Sequence, residues 1–339
     1  MTSSPGEHDR RHAPGRDDRK SVGSGAPSRR RRGAALAAAA VATLAMALLA
    51  GCGSGGSGSS SATASGSNKY GTLKPGVIKA AIEPYMPYTA LQGGKLVGLD
   101  SDILNAAAQK LGLKVETQVT DFAGMLAGVQ SRRVDITIGG VAWSADRQKQ
   151  GLFTDPPYYS PPAMAVHGNT TYPNVTSLQG KSLGTVTGYV WVKSIQQVPG
   201  AQLHAYPNAN GVFSDLGAGR INVGFLDPLL IIYEQKQRPD LPLKTEYLQP
   251  PSSADVKQHP AYQYFQPYMT GFYLPKQEPK LERAISQQID AMYKDGSLAK
   301  LVAKWGGDPK KFLVPSPGMA AERRGLDRPQ NWNPPSVAG

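Results

Sequence analysis

Arg133-Val134-Asp135-Ile136-Thr137-Ile138-Gly139 alternates apolar and polar side chains, and the order of Arg, apolar and polar positions returns in Arg220-Ile221-Asn222-Val223-Gly224-Phe225-Leu226. Alternation with β-branched residues marks a strand. Working outward from the first copy, Val77 to Ile82 reads as a strand and Val115 to Val119 as another. Asp102 to Leu111 lies between them with Leu104, Ala107, Ala108 and Leu111 at helical spacing, and Phe122 to Val129 is a second helix. Strands separated by helices imply a parallel α/β sheet. Around the second copy, the turn Gln179-Gly180-Lys181 precedes a strand from Leu183 to Val186, and Val212 to Leu216 starts a helical turn. Two similar αβ lobes are therefore expected. The roughly 245 residues from Lys69 to Val314 are enough to give each a core. An amphipathic helix then carries Leu281, Ile285, Ile289 and Met292 on one face. Leu298, Leu301, Val302 and Trp305 continue a second helix that stops at Gly306-Gly307.

Upstream of the lobes, Leu49-Ala50-Gly51-Cys52 sets the only cysteine of the chain behind Gly33 to Ala50, a run without charge, which itself follows Arg29 to Arg32. This pattern resembles the signal peptide and lipobox of bacterial lipoproteins. The resemblance implies removal of residues 1–51 and acylation of Cys52, with the protein facing the extracellular or periplasmic side. An uncleaved transmembrane anchor is the other reading, since about 18 apolar residues is near the lower limit for a bilayer span. Alanine dominates the run, however, and a lone cysteine in an exported protein has no intramolecular disulfide partner. Residues 52–68, almost wholly Gly, Ser, Ala and Thr, form a lipidated tether with an expected reach on the order of 20 to 25 Å. The tail at 315–339, rich in Pro, Arg, Asn and Ala without periodicity, is expected to be disordered.

The formal charge of +12 does not point to nucleic acid. Residues 1–51 hold nine Lys or Arg against four Asp or Glu, so +5 of it leaves with the leader and +7 stays. No Lys/Arg-rich block remains to form a basic patch. Of the five histidines, 8 and 12 fall in the leader, and 167, 204 and 259 show no close ligand spacing, so neither a metal nor a cofactor is expected. No glycine-rich phosphate loop ends in Gly-Lys-Ser/Thr, so nucleotide hydrolysis must belong to another subunit.

Several stretches in order then carry a family resemblance: Gly94-Lys95-Leu96-Val97-Gly98-Leu99-Asp100, Val134 to Gly140, Asp146-Arg147, Phe153-Thr154-Asp155-Pro156-Pro157-Tyr158-Tyr159, Asp295-Gly296-Ser297-Leu298 and Lys304-Trp305-Gly306. Over roughly residues 72–313 the chain resembles the extracytoplasmic solute-binding proteins of ABC importers, in the family-3 branch that binds polar amino acids. The resemblance implies an α/β fold of the type II periplasmic-binding-protein kind, with two lobes joined by two crossover strands around a ligand cleft. Lobe 1 would comprise 69–162 plus 269–314, and lobe 2 would comprise 163–268. Pro250 to Tyr268 is longer than the family usually shows and reads as a surface excursion. A monomer that hands its solute to ABC permease subunits, with no catalysis, is the implied function.

Such a cleft must take a zwitterion out of water, which requires an opposite charge and hydrogen bonds for each end. By resemblance Arg147 holds the ligand carboxylate, where a planar fork suits two parallel bonds. Its plain alternative is decoration of a helix start capped by Ser144. Asp227 matches the position that holds the ligand ammonium, yet Asp227-Pro228 is also what a helix N-cap followed by a first-turn proline looks like. Tyr85 and Phe122 match cleft-wall positions, with core packing as their alternative. Gly140 to Ala142 would offer backbone amides. Thr187-Gly188-Tyr189 corresponds to the second-lobe turn ahead of a helix, with Tyr189 and Trp191 unusually large there. Three departures stand out: Ile82 replaces an acid unless Glu83 substitutes, Ala142 replaces a hydroxyl residue, and Val190 is apolar. Two other functions use the same fold: a periplasmic dehydratase of cyclic dienyl substrates, with Glu83 or Asp227 as general acid, and a ligand-dependent sensor that docks on a membrane receptor.

Overall fold

The computed structural model describes residues 68–337. The leader and tether, with Cys52, lie outside the described residues.

The first lobe begins with β1 (Val77–Ile82), the hairpin β2 (Ala90–Gln92) and β3 (Lys95–Val97), then α1 (Leu99–Leu111), β4 (Lys114–Val119) and α2 (Phe122–Gln130). It continues through β5 (Ile136–Thr137), α3 (Ala145–Gln148), β6 (Leu152–Phe153) and β7 (Tyr159–Ser160). The second lobe holds β8 (Ala163–His167), β9 (Ser182–Val186), α4 (Trp191–Ile195), β10 (Gln202–Tyr206), α5 (Ala209–Gly217) and β11 (Val223–Phe225). After these come α6 (Pro228–Gln237), β12 (Leu243–Tyr247) and α7 (Ser253–Gln258). The chain returns through β13 (Tyr268–Met269) and β14 (Tyr273–Leu274), and ends in α8 (Pro279–Lys294), α9 (Ser297–Lys304), α10 (Pro309–Phe312) and α11 (Met319–Arg323).

Each lobe has a five-stranded sheet, ordered β4-β1-β5-β14-β6 in the first and β10-β9-β11-β8-β12 in the second. Both are mixed rather than wholly parallel. The strands that arrive from the other lobe, β14 and β8, run antiparallel to β5 and β11 respectively. Between the lobes β7 pairs antiparallel with β13, Tyr268 opposite Ser160 and Met269 opposite Tyr159, which makes a two-stranded hinge.

The repeated heptad has one structural job in both lobes. Asp135 donates its amide to Lys79 O at 2.9 Å and accepts from Lys79 N on Oδ2 at 2.7 Å; Asn222 donates to Ser182 O at 2.8 Å and accepts from Ser182 N on Oδ1 at 2.9 Å. The polar residue thus ties the central strand to its neighbour. Alternation suggests a strand with one wet face, but Val134 to Ile138 is buried throughout. Thr137 can sit there because its hydroxyl donates to Ala81 O at 2.8 Å, which meets the requirement that a buried polar group be bonded.

In α8, Leu281, Ile285, Ile289 and Met292 are buried and the helix packs on α1, as the helical spacing predicts. Two expectations fail. Pro250 to Tyr268 is not a loose surface excursion: it forms α7 and a 3-10 turn over Pro260–Phe265, with Ala261, Tyr262 and Phe265 buried. Trp191 Nε1 donates to Tyr264 O at 3.0 Å and Ser194 Oγ to Ala261 O at 2.7 Å, so the segment is part of the second lobe. The tail is ordered through residue 337. Arg323, fully buried, donates to Thr154 O at 2.9 Å, Phe153 O at 3.2 Å and Asp327 Oδ2 at 3.0 Å. Arg328 donates to Asp155 at 2.8 Å and Glu282 at 2.9 Å. Charge pairing and carbonyl contacts hold this strap, and these leave no apolar period in the sequence.

Candidate functional site

The ends of the parallel strands converge on the cleft, which is where open α/β sheets place ligand groups. Glu83 and Tyr85 follow β1, Gly139 and Gly140 follow β5, Tyr189 follows β9, and Asp227 follows β11. On the return path, Trp143 N donates to Met269 O at 2.8 Å, which fixes the loop ahead of α3 against the hinge. Ser144 then caps α3 by accepting from Arg147 N at 3.2 Å. The capping reading is therefore correct for the backbone, while the Arg147 side chain is free to cross the cleft. Its guanidinium donates to Ala142 O at 2.6 Å and to Gly188 O of the other lobe at 2.8 Å, and lies 5.2 Å from the centre of the Phe122 ring. Burial lowers its pKa to about 10, and it stays protonated at neutral pH.

Asp227 begins α6 but does not cap it; no capping bond from its side chain is formed. Its Oδ2 accepts from the Tyr85 hydroxyl at 2.6 Å and its Oδ1 from the Tyr268 hydroxyl. Burial raises its pKa to about 6, against the lowering effect of those two hydroxyls and Arg147. Glu83 accepts from the Tyr189 hydroxyl of the other lobe at 2.9 Å. Burial is the main reason its pKa rises to about 7.

The void among these groups is lined by Phe122, Gly140, Ala142, Arg147, Tyr189, Val190, Trp191, Asp227 and Tyr268. It leaves the centre of a water-sized sphere about 10 Å³, roughly room for one water. A Cβ at Gly140 would stand 3.3 Å from Asp227 Oδ2 and 3.5 Å from Tyr85 Cε1, so the absent side chain lets the lobes approach.

Of the residues expected from sequence, Phe122, Gly140, Ala142, Arg147, Tyr189 and Asp227 meet around this void, and Tyr85 joins through Asp227. Glu83 stands behind Tyr189 rather than on the lining. Thr187 is not brought in: it is exposed, and its amide donates to Tyr206 O at 2.8 Å. Ile82 is fully buried in the sheet and offers nothing to a ligand. Two contributors escaped the sequence reading. Tyr268 lay in the stretch read as an excursion. Asp100 accepts on Oδ2 from Gly139 N at 2.8 Å and Gly140 N at 2.9 Å, and so sets the turn that faces Asp227. Its place in Gly98-Leu99-Asp100 was the available signal.

Glu83 gives a pH test. A carboxyl that titrates near 7 in the folded protein instead of near 4.5 holds its proton more tightly when native. The stability it adds is complete below about pH 4.5 and is lost as pH rises through about 7. Glu83→Gln is expected to flatten the fall in urea-unfolding stability across that window by on the order of 3 kcal/mol at most. Asp227 and Asp100, each raised to about 6, keep a residual fall of the same sign. An unchanged profile in the variant would remove Glu83 from this account.

A hinge of two strands, a cleft between two α/β lobes, and opposed cationic and anionic groups within it define a bilobal ligand-binding protein. The family described as bacterial extracellular solute-binding proteins, family 3, matches residues 78–308, and the chain belongs to it. It is 30% identical over 238 residues to the L-cystine-binding protein TcyJ of Escherichia coli (strain K12), covering 68% of this chain and 83% of that one. It is 24% identical over 223 residues to the probable amino-acid-binding protein YxeM of Bacillus subtilis (strain 168), covering 65% and 79%. Among solved structures, an ancestral arginine-binding protein bound to glutamine is similar with a TM-score of 0.60 and 28% identity, over 69% of this chain and 99% of that one.

Proposed function

We propose that this protein is the solute-binding component of an ABC importer, which captures a small ammonium-bearing solute, an amino acid or a relative of one, and delivers it to a membrane permease. The observation that carries this reading is Arg147 and Asp227 on opposite lobes, facing one void beside the hinge. A ligand bridging them gains contacts in the closed state that the open state lacks, so binding shifts the hinge equilibrium by that difference. The names of the relatives above support the ligand class, and membership of an importer family supports the permease. Acylation at Cys52 and a monomeric state complete the reading: the lipid would hold the protein at the outer face of the membrane. Catalysis is not required. Of the two candidate acids only Asp227 lines the void, while Glu83 accepts from Tyr189, so no second carboxyl stands there as acid–base partner, which favours binding over dehydration.

The test is a thermal-shift screen of the exported protein after unfolding and refolding to remove carried ligand, against amino acids, betaines, polyamines and aromatic acids. A ligand present at 100 times its Kd is expected to add about 2.7 kcal/mol to folded-state stability. No shift with any of them, or product formation from prephenate or arogenate, would reject the proposal.

A further inference from the structure

Rings make up much of the cleft wall. Tyr189 stands edge-on to Phe122, with centroids 4.6 Å apart and planes at 71°, and edge-on to Tyr85 at 6.1 Å and 85°. Trp191 lies 5.9 Å from Tyr189 and edge-on to Tyr268 at 5.8 Å and 81°. Four of these five rings, Phe122, Tyr189, Trp191 and Tyr268, line the void. Meanwhile both oxygens of Asp227 already accept from tyrosine hydroxyls, and Glu83 accepts from a third. Ala142 and Val190 add only apolar side chains to the lining.

A primary ammonium brings three N–H donors, each of which needs an acceptor once buried. A quaternary ammonium brings none, and its charge spreads over methyl groups that ring faces attract electrostatically. Asp227 serves such a cation through its charge alone, without giving up its tyrosines. Resting on the functional reading above, we propose that the cleft selects N-methylated ammonium carboxylates of the betaine type over primary α-amino acids. The rings of Tyr189, Trp191 and Tyr268 surround the ammonium, and Arg147, beside Phe122, turns its fork from the Ala142 and Gly188 carbonyls to the carboxylate. Entry requires the lobes to part, because Arg147–Gly188, Tyr85–Asp227 and Tyr189–Glu83 bridge them.

Calorimetry on the full exported protein with glycine, sarcosine, N,N-dimethylglycine and glycine betaine tests this. Affinity is expected to rise with each methyl, by about tenfold or more from glycine to glycine betaine, as desolvated cation–ring contacts accumulate. Tyr268→Phe keeps the ring but frees a further acceptor site on Asp227, and is expected to narrow the gap between glycine betaine and glycine; a purely structural role for the hydroxyl would weaken both alike. Arg147-dependent binding of glycine, L-cystine or L-arginine that exceeds binding of every methylated probe overturns this inference and leaves the functional reading standing. Silence with all the zwitterions, methylated and primary, overturns the functional reading itself.

Discussion

Arg147→Ala is expected to weaken binding of a carboxylate solute by 100-fold to several thousand-fold, the equivalent of about 3–5 kcal/mol for removing one partner of a buried charge pair. The magnitude follows from what the guanidinium now touches. Its two bonds go to neutral carbonyls, Ala142 O and Gly188 O, which a ligand carboxylate would replace with charge-assisted, parallel ones. The Phe122 ring centre lies 5.2 Å from the guanidinium carbon, within cation–ring reach. Arg147→Lys keeps a charge but supplies a point donor on a flexible stem, and is expected to recover only part of the loss. The measurement is calorimetry with the solute that gives the largest thermal shift, at fixed ionic strength. Affinity unchanged in the alanine variant would take Arg147 out of the site and with it the argument for a carboxylate-bearing ligand.

The lobes were legible because their strands and helices are built from periodic apolar side chains. The heptads at Arg133 and Arg220 carried more than strand propensity: their third residues, Asp135 and Asn222, make the same pair of backbone bonds in each lobe. At the site, Arg147, Asp227 and Phe122 could be placed from residue type and motif order, since forked cation, carboxylate and ring each suit one part of a zwitterion. Partners were not legible. Asp227 before Pro228 has the sequence of a helix cap, but its carboxylate is drawn to Tyr85 and Tyr268, 142 and 41 residues away. Thr187 matched a family position, yet the turn points it at solvent. Tyr268 was hidden in Pro250 to Tyr268, whose proline and glutamine content reads as loop although its aromatic residues pack inward. Local composition reports the cost of ordering a segment, not the distant surface that repays it.

The strap formed by the tail should make Arg323→Ala strongly destabilising although it lies outside the cleft. Arg323 is fully buried, its pKa lowered by that burial, and it lies between Trp143 and Trp332 at 5.8 and 5.4 Å from their ring centres. Truncation leaves the Asp327 side chain, 3% exposed, without its main charge partner and the Thr154 carbonyl without its side-chain donor, while Phe153 O keeps Arg328 at 2.8 Å. Loss of one member of such a pair costs about 3–5 kcal/mol, and at the size of these lobes that lowers the melting temperature by roughly 10 °C. Arg323→Met combined with Asp327→Leu removes both charges and is expected to recover much of the loss, because no lone buried ion remains. If Arg323→Ala melts with the wild type, the tail adds nothing to the fold. If instead the paired variant is no better than the single one, the carbonyl bonds to Phe153 and Thr154, rather than the ion pair, are what secure the strap beside Trp143 and the loop that carries Arg147.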